Sequence, residues 1–88
     1  MYILEYDEAW KNYFDKLPPD IQKRFMKRRD KYKIFPTHGF RHEKYGLEFF
    51  VDEIGQYRVL FVSEERIKTR KFYFIGDHKE YEKFLGVG

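Results

Sequence analysis

The chain begins with a segment typical of a β-strand, followed at once by helical spacing. In Tyr2 to Tyr6, Ile3 can face one side of a sheet while its apolar neighbours face the other. Asp7 is a favourable N-cap, and apolar residues then recur at helical spacing from Ala9 to Leu17. We predict a first strand over Tyr2 to Tyr6 and a helix that ends at Pro18.

The next segment predicts a basic helix with one narrow apolar stripe. Pro19 and Asp20 open it, because proline is tolerated in the first turn of a helix. The stripe consists of Ile21, Phe25, Arg28 or Arg29, and Tyr32. Between Gln22 and Lys33 the only acid is Asp30. The basic side chains of this segment are Lys23, Arg24, Lys27, Arg28, Arg29, Lys31 and Lys33.

The second half of the chain has the pattern of strands, after an irregular loop. Phe35 to Lys44 contains Pro36, Gly39 and two histidines without a clear period, which indicates a loop. Three segments rich in β-branched and aromatic residues follow: Tyr45 to Ile54, Gln56 to Ser63, and Ile67 to Ile75. Asp77 can then cap a final short helix that ends at Leu85.

This order of elements predicts an α+β fold. It consists of an N-terminal strand, two helices, a three-stranded antiparallel meander that completes one sheet, and a short C-terminal helix. We expect the helices on one face of the sheet. With 88 residues the chain can support one hydrophobic core, so residues 1–88 are expected to form a single domain.

Composition narrows the class of protein. Aromatic residues make up 22% of the chain, about half of its apolar residues, and large rings let a small core bury much surface. The absence of cysteine excludes disulfides, thiolate metal sites and cysteine nucleophiles. His38, His42 and His78 lack an accompanying carboxylate cluster, so we expect neither metal nor cofactor. The acidic first ten residues and the absence of a long apolar run predict a soluble cytoplasmic protein without a membrane partner.

Two segments resemble the RelE/ParE toxin superfamily. Ile54 to Phe61 reads Ile-Gly-Gln-Tyr-Arg-Val-Leu-Phe and is similar to the family's Gly-x-Tyr-Arg-Val-hydrophobic segment. Phe74 to Tyr81, with Gly76 and His78, is similar to the Gly/Thr-His-x-x-Tyr ending of HigB-like members. A Leu-Pro break between the two helices fits the same pattern. The resemblance implies a RelE-like fold and the toxin of a toxin–antitoxin system.

The resemblance also implies an activity, since most RelE and HigB relatives cleave mRNA in the ribosomal A site. Arg58 would stabilise the phosphate as it gains negative charge. His78 titrates near neutral pH and would take part in proton transfer, with Tyr81 three positions further on to assist. The alternatives are structural: a salt bridge from Arg58 to Glu48 or Glu53, Tyr81 in the terminal core, and His78 merely at a helix start.

A larger set of basic residues is able to bind phosphates, although each is otherwise ordinary solvated charge. The set is Lys23, Arg24, Lys27, Arg28, Lys31, Arg41, Lys44, Lys68 and Arg70. The basic helix is expected to contact ribosomal RNA, and alternation places Lys68 and Arg70 on one side of the last strand. The expected partners are mRNA, the ribosome, and an antitoxin whose helix or extended segment covers the basic site.

The strand before the Tyr-Arg segment departs from the family pattern. RelE-like enzymes commonly carry basic residues there, whereas Glu48 to Glu53 reads Glu-Phe-Phe-Val-Asp-Glu. A carboxylate beside the scissile phosphate repels it, unless that carboxylate works as a general base or faces elsewhere. Three hypotheses follow: an mRNA interferase, a catalytically decayed RelE-fold binding protein, and a ParE-type gyrase inhibitor. The histidine-tyrosine ending places the gyrase inhibitor below the other two.

Overall fold

A computed structural model describes residues 1–42 and 48–86 of the chain. The strands are β1 (Ile3–Tyr6), β2 (Arg41–His42), β3 (Phe50–Ile54), β4 (Tyr57–Glu64) and β5 (Thr69–Gly76). The helices are α1 (Trp10–Phe14), α2 (Pro19–Ile34) and α3 (His78–Leu85). Single turns of 3-10 helix cover Thr37–Gly39 and Glu65–Ile67. Within the described residues, no helix is long and apolar enough to cross a membrane.

The five strands form one mixed sheet in the order β1-β5-β4-β3-β2. β1 runs parallel to β5, and the other neighbouring strands are antiparallel. The predicted α+β fold, in which the first strand joins a three-stranded meander, is confirmed. The sequence predicts a loop where β2 lies, and this is wrong. Arg41 and His42 pair with Val51 and Phe50, but two residues are too few to display an alternating pattern.

One face of the sheet packs on α2 through a largely aromatic core. Phe25 and Tyr32 of α2 meet Phe72 of β5, with ring centroids 5.8 and 5.0 Å away, and Phe61 of β4 lies 5.9 Å from Tyr32. All four side chains are buried, so truncating any one to alanine should cost about 3–5 kcal/mol. Ile21 is buried beside them, which confirms the predicted apolar stripe of α2.

α3 packs on the opposite face, so the expectation of helices on a single face is wrong. The reason is a bulge in β5: Leu60 pairs with Phe74 while Phe61 pairs with Phe72, which leaves Tyr73 without a partner in the register. The bulge reverses the alternation of side chains, so Phe72 joins the core under α2 and Phe74 joins a second cluster under α3. The buried members of this second cluster are Val51, Leu60, Phe74 and Tyr81.

A capping box fixes the start of α3 directly after β5. The Asp77 carboxylate accepts a hydrogen bond from the Glu80 N–H at 2.9 Å, and the Glu80 carboxylate accepts one from the Asp77 N–H at 3.1 Å. This confirms Asp77 as the predicted N-cap. The helix ends at Gly86, whose φ of 76° lies in the left-handed region that favours glycine.

Three predicted boundaries differ from the structure. Asp7 accepts a hydrogen bond from the Ala9 N–H at 3.1 Å within a turn, so α1 starts later than predicted and spans only Trp10–Phe14. β5 starts at Thr69 because Lys68 adopts φ 51°, which interrupts the extended chain. β3 starts at Phe50, and residues 45–47 of the predicted segment lie outside the described residues.

Candidate functional site

Three charged side chains lie in a row across β2, β3 and β4 on the α3 side of the sheet. Arg58 is the cross-strand partner of Glu53, and directly paired residues project to the same face. Arg41 is paired with Val51 of the α3-side cluster, and its Nη1 lies 3.5 Å from Oε1 of Glu53. We refer to Arg41, Glu53 and Arg58 as the charged row. It has a net charge of +1 from two arginines and one carboxylate.

The Arg58 guanidinium stacks on an aromatic ring. Its Cζ lies 4.7 Å from the ring centroid of Tyr81. Tyr81 belongs to α3 and is itself buried, with its ring against Phe74 of β5. Such a cation–π contact is worth about 0.5–2 kcal/mol and restricts the arginine to one orientation. Among residues 1–42 and 48–86, no carboxylate approaches Arg58 within the 4.0 Å of a salt bridge. The described residues therefore contain no salt bridge from Arg58 to Glu48 or Glu53, which was the structural alternative for this arginine.

His78 lies at the same end of the sheet but does not share the contact between Arg58 and Tyr81. Gly76, two residues earlier, is the register partner of Arg58, so the first turn of α3 starts beside that arginine. The imidazole is 60% exposed, and its Nε2 lies 3.5 Å from Glu82 one turn further along α3. The structure brings Arg58 and Tyr81 into contact and gives His78 a different partner.

The acidic pair of β3 divides between the two faces of the sheet. Asp52 faces α2, where its carboxylate accepts a hydrogen bond from the Tyr32 hydroxyl at 2.8 Å and lies 3.3 Å from both Arg28 and Lys31. Burial and the neighbouring Asp52 charge raise the pKa of Tyr32 well above its usual range. Asp52 therefore attaches α2 to the sheet, and only Glu53 is a carboxylate of β3 on the face that carries Arg58.

The basic helix and Arg58 lie on opposite faces of the sheet. Lys23 and Lys27 are exposed on α2, whereas Arg28 and Lys31 are engaged by Asp52. Arg24 reaches the β3–β4 turn, where its Nη1 lies 3.1 Å from the position of a Cβ on Gly55. The predicted phosphate-binding residues of α2 thus form a surface separate from the charged row.

Arg70 is an interior residue rather than a surface cation. Its side chain is fully buried and its guanidinium donates three hydrogen bonds: to the Tyr32 carbonyl at 2.8 Å, the Thr37 hydroxyl at 3.0 Å and the Ser63 hydroxyl at 3.0 Å. The ring of Tyr2 covers it, 3.6 Å from Cζ. Because the side chain is fully buried, a phosphate in solvent does not reach the guanidinium, which contradicts the expected surface role of Arg70.

Lys68 lies outside the last strand, so the predicted alternation with Arg70 does not apply to it. It precedes β5 in the left-handed conformation, is exposed, and lies with Nζ 5.1 Å from the Tyr2 ring centroid. Glu65, in the same turn, accepts hydrogen bonds from the hydroxyls of Ser63, Thr37 and Tyr2, each at 2.5 Å. These bonds lower the pKa of Glu65 to about 2. Lys44, the remaining member of the predicted set, lies outside the described residues.

A groove of about 350 Å³ runs between α1, α2 and β1. Its lining is largely apolar and includes Tyr6, Trp10, Phe14 and Met26. Arg29 also lines it, and within the described residues its buried Nε has no hydrogen-bond partner. The groove thus combines apolar walls with one arginine whose Nε is not engaged by the described residues. Sequence reasoning did not identify it, because its walls come from three separate elements.

The sequence alone does not determine on which face of the sheet Glu53 lies. Side chains alternate along β3, so Glu53 and Asp52 project to opposite faces of the sheet, and the pairing of Glu53 with Arg58 shows which face is which. This assignment is possible only when the register of the β3–β4 hairpin is known. For metals, the described residues contain no group of three or more His, Asp or Glu side chains arranged to hold an ion.

Comparison with known proteins gives matches at the level of structure. No protein-family model matches the chain, and no curated protein matches it. A chain of the RelBE2 toxin–antitoxin complex of Mycobacterium tuberculosis has a TM-score of 0.75 at 18% identity, covering 88% of this chain and 98% of that one. A mutant of the Escherichia coli toxin RelE bound to an antitoxin RelB peptide has a TM-score of 0.75 at 13% identity, covering 99% and 94%.

A third match extends the likeness to archaea. The RelE–RelB complex of Pyrococcus horikoshii has a TM-score of 0.68 at 20% identity, covering 86% of this chain and 93% of that one. This chain has a five-stranded sheet with helices on both faces, and with these matches it belongs to a class of small α+β proteins. The fold within that class is the fold of the RelE toxins, as the sequence resemblance implies.

Proposed function

We propose that the chain is the toxin of a type II toxin–antitoxin system and cleaves mRNA on the ribosome. The observation that carries the proposal is the placement of Arg58, whose guanidinium is held on the Tyr81 ring at 4.7 Å and is not neutralised by a carboxylate of the described residues. The RelE fold and the family's Tyr-Arg segment give the same indication. The site of action would be the cytoplasm, where translating ribosomes are found.

In the proposed reaction the 2′ oxygen of one nucleotide attacks the adjacent phosphorus and the 5′ oxygen of the next nucleotide leaves. The products are a 2′,3′-cyclic phosphate and a free 5′-hydroxyl. Arg58 stabilises the phosphorane, whose equatorial oxygens carry the extra negative charge. Tyr81 is a positioning residue that holds Arg58. His78 supplies the proton for the leaving oxygen, since an exposed imidazole at the start of α3 is accessible to substrate.

The charges on the other face suit a second role. The exposed Lys23 and Lys27 of α2, with Arg24 at the β3–β4 turn, would contact ribosomal RNA and orient the charged row towards the message. Lys68 is a further exposed cation, next to the β4–β5 turn. Arg70 is not included in this surface because its side chain is fully buried and bonded to groups inside the protein.

The direct test is cleavage of a message in a reconstituted, stalled translation complex. Arg58→Ala should reduce the single-turnover rate by about 10²-fold or more, because losing one preorganised donor to a developing oxyanion typically costs that much. Arg58→Lys should retain part of the rate, since the charge remains but the planar fork is lost. Arg66→Ala, which removes an exposed arginine of the β4–β5 turn, is the matched control and should cut like the wild type. Equal cleavage by Arg58→Ala and the wild type would overturn the assignment.

We further propose that an antitoxin neutralises the toxin and inserts an apolar side chain of an acidic segment into the groove between α1, α2 and β1. The exposed Met26 and the rings of Tyr6 and Trp10 suit the apolar side chain. Lys11 and Arg29 also line the groove and suit the acidic residues, and they outnumber the one acid of the lining, Asp7. Met26→Glu should then abolish the complex of the isolated toxin with the protein encoded beside this gene. Ile34→Glu, which changes another exposed apolar residue of α2, should leave the complex intact. Unchanged binding by Met26→Glu would exclude the groove.

One observation favours a second candidate function. Glu53 places a carboxylate on the face where a phosphate would bind, so a catalytically decayed RelE-fold binding protein is the alternative. That alternative predicts antitoxin binding without any cleavage of message by the wild type. A wild type that arrests growth with intact message and impaired supercoiling would indicate a gyrase inhibitor instead.

A further inference from the structure

The position of Glu53 suggests a specific chemical role. Its carboxylate is 51% exposed and lies on the open face of β3, opposite Arg58 in the register and 3.5 Å from Arg41. We propose that Glu53 is the general base that removes the proton from the 2′-hydroxyl, with Arg41 as its positioning residue. This inference rests on the proposed endonuclease function, because it assigns a missing proton acceptor to that reaction.

The spacing suits a base next to a phosphate-binding arginine. Directly paired side chains on antiparallel strands have Cβ atoms about 4.5–5.5 Å apart. Glu53 is therefore the carboxylate of β3 placed next to the strand position of Arg58, where a base for the 2′-hydroxyl beside an Arg58-bound phosphate is needed. A depression of about 270 Å³ opens at the edge of the sheet beside the carboxylate, and its lining is Gly39, Phe40, Arg41, Val51, Asp52 and Glu53.

The surrounding charges allow a carboxylate to function there. Arg41 and Arg58 flank Glu53 in the charged row, so an incoming phosphate meets a net positive charge. From the other side of the strand, Arg28 donates to the backbone carbonyl of Glu53 and fixes the main chain. Tyr81 holds Arg58 from above the sheet. In this environment the repulsion that a lone carboxylate would exert on the phosphate is offset by its two neighbours.

The proton balance of the step is complete. Glu53 takes the proton of the 2′-hydroxyl as the 2′ oxygen bonds to phosphorus, and the bond from phosphorus to the 5′ oxygen breaks. His78, in its protonated form, gives a proton to that leaving oxygen. The enzyme ends with a neutral Glu53 carboxyl and a neutral imidazole, and solvent restores both protonation states. No oxidant, reductant or metal is required.

The test compares three variants in the stalled translation complex. Glu53→Gln keeps an amide oxygen that accepts from Arg41 but no longer accepts a proton, and its single-turnover rate should fall about 10²- to 10⁴-fold. Glu53→Asp should recover part of that loss. Glu64→Gln, at the exposed far end of β4, is the matched control and should cleave normally. Ribosome binding and thermal stability, measured alongside, should be equal for all three.

The pH profile separates a base from a residue that only orients Arg41. The wild-type rate should rise with pH as a carboxylate loses its proton, and Glu53→Gln should lack that rise. If Glu53→Gln cleaves slowly but keeps the wild-type pH profile, Glu53 is not the general base and only orients Arg41. Cleavage by Glu53→Gln at the wild-type rate would reject any role in the reaction. Failure of the wild type itself to cleave would instead reject the proposed function, so the two failures are distinguishable.

Discussion

Replacing Arg70 by methionine tests the account of this residue as an interior anchor rather than a phosphate ligand. The substitution keeps a long flexible side chain but removes three hydrogen bonds from a charged donor. Each such bond contributes about 1.5–3 kcal/mol, and the three share one group, so their losses do not add fully. It also leaves the Tyr32 carbonyl with one partner fewer at a fully buried position.

We expect Arg70→Met to lower the free energy of unfolding by about 4 kcal/mol, within the ~3–5 kcal/mol typical when a buried charged network loses one member. For a chain of this size that corresponds to a fall in Tm of about 20 °C. Urea unfolding followed through Trp10, the single tryptophan and a buried one, measures it directly.

Arg66→Met, which changes an exposed arginine four positions away, is the control and should change stability by less than about 0.5 kcal/mol. A loss below about 1 kcal/mol for Arg70→Met would show that Arg70 is not an interior anchor. So would normal stability combined with weakened ribosome binding, because that result would return Arg70 to the nucleic-acid surface.

Two further predictions concern the β4–β5 turn. The Glu65 carboxylate has a folded-state pKa of about 2, below its ordinary value of 4.5, so its stabilisation is present above pH 4.5 and is lost as pH falls towards 2. Because the Glu65 carboxylate is half exposed, we expect it to contribute less than about 1 kcal/mol to the free energy of unfolding. In Glu65→Gln the free energy of unfolding should therefore fall less steeply as pH is lowered from 4.5 to 2, and an unchanged slope would contradict this. Lys68 has a φ of 51°, in the left-handed region that favours glycine. In urea unfolding, Lys68→Gly should therefore stabilise the protein by about 0.5 kcal/mol and Lys68→Val should destabilise it. The opposite order of stability would contradict the left-handed conformation.

The elements that were predictable from sequence are those whose local chemistry agrees with the tertiary structure. The stripe of α2 repeats at helical spacing because one side of that helix is buried, and the capping box at Asp77 is encoded within four residues. Gly55 marks the β3–β4 turn because its φ of 61° favours glycine. The Tyr-Arg segment likewise placed Arg58 on a strand next to that turn.

The errors share a physical cause: they depend on contacts between distant parts of the chain. The bulge at Tyr73 moves Phe74 to the other face, and no local pattern announces the unpaired residue. Arg70 is of a residue type that is usually a surface cation, yet α2 and the turn after it provide two acceptors inside the protein, and Ser63 of the neighbouring β4 provides a third. The division between Asp52 and Glu53 follows only once the register with β4 is known.

If the face bearing Arg58 cleaves translated message, the cuts should be visible as new RNA ends in growing cells that express the protein. Wild type, Arg58→Ala and the control Arg66→Ala are induced in parallel, and growth is recorded beside the 5′ ends of cellular transcripts. For the wild type and Arg66→Ala we expect new ends that are confined to translated regions and phased with codons. For Arg58→Ala we expect these ends to be absent. Growth arrest by the wild type without any new ends, or the same ends with Arg58→Ala, would contradict this expectation.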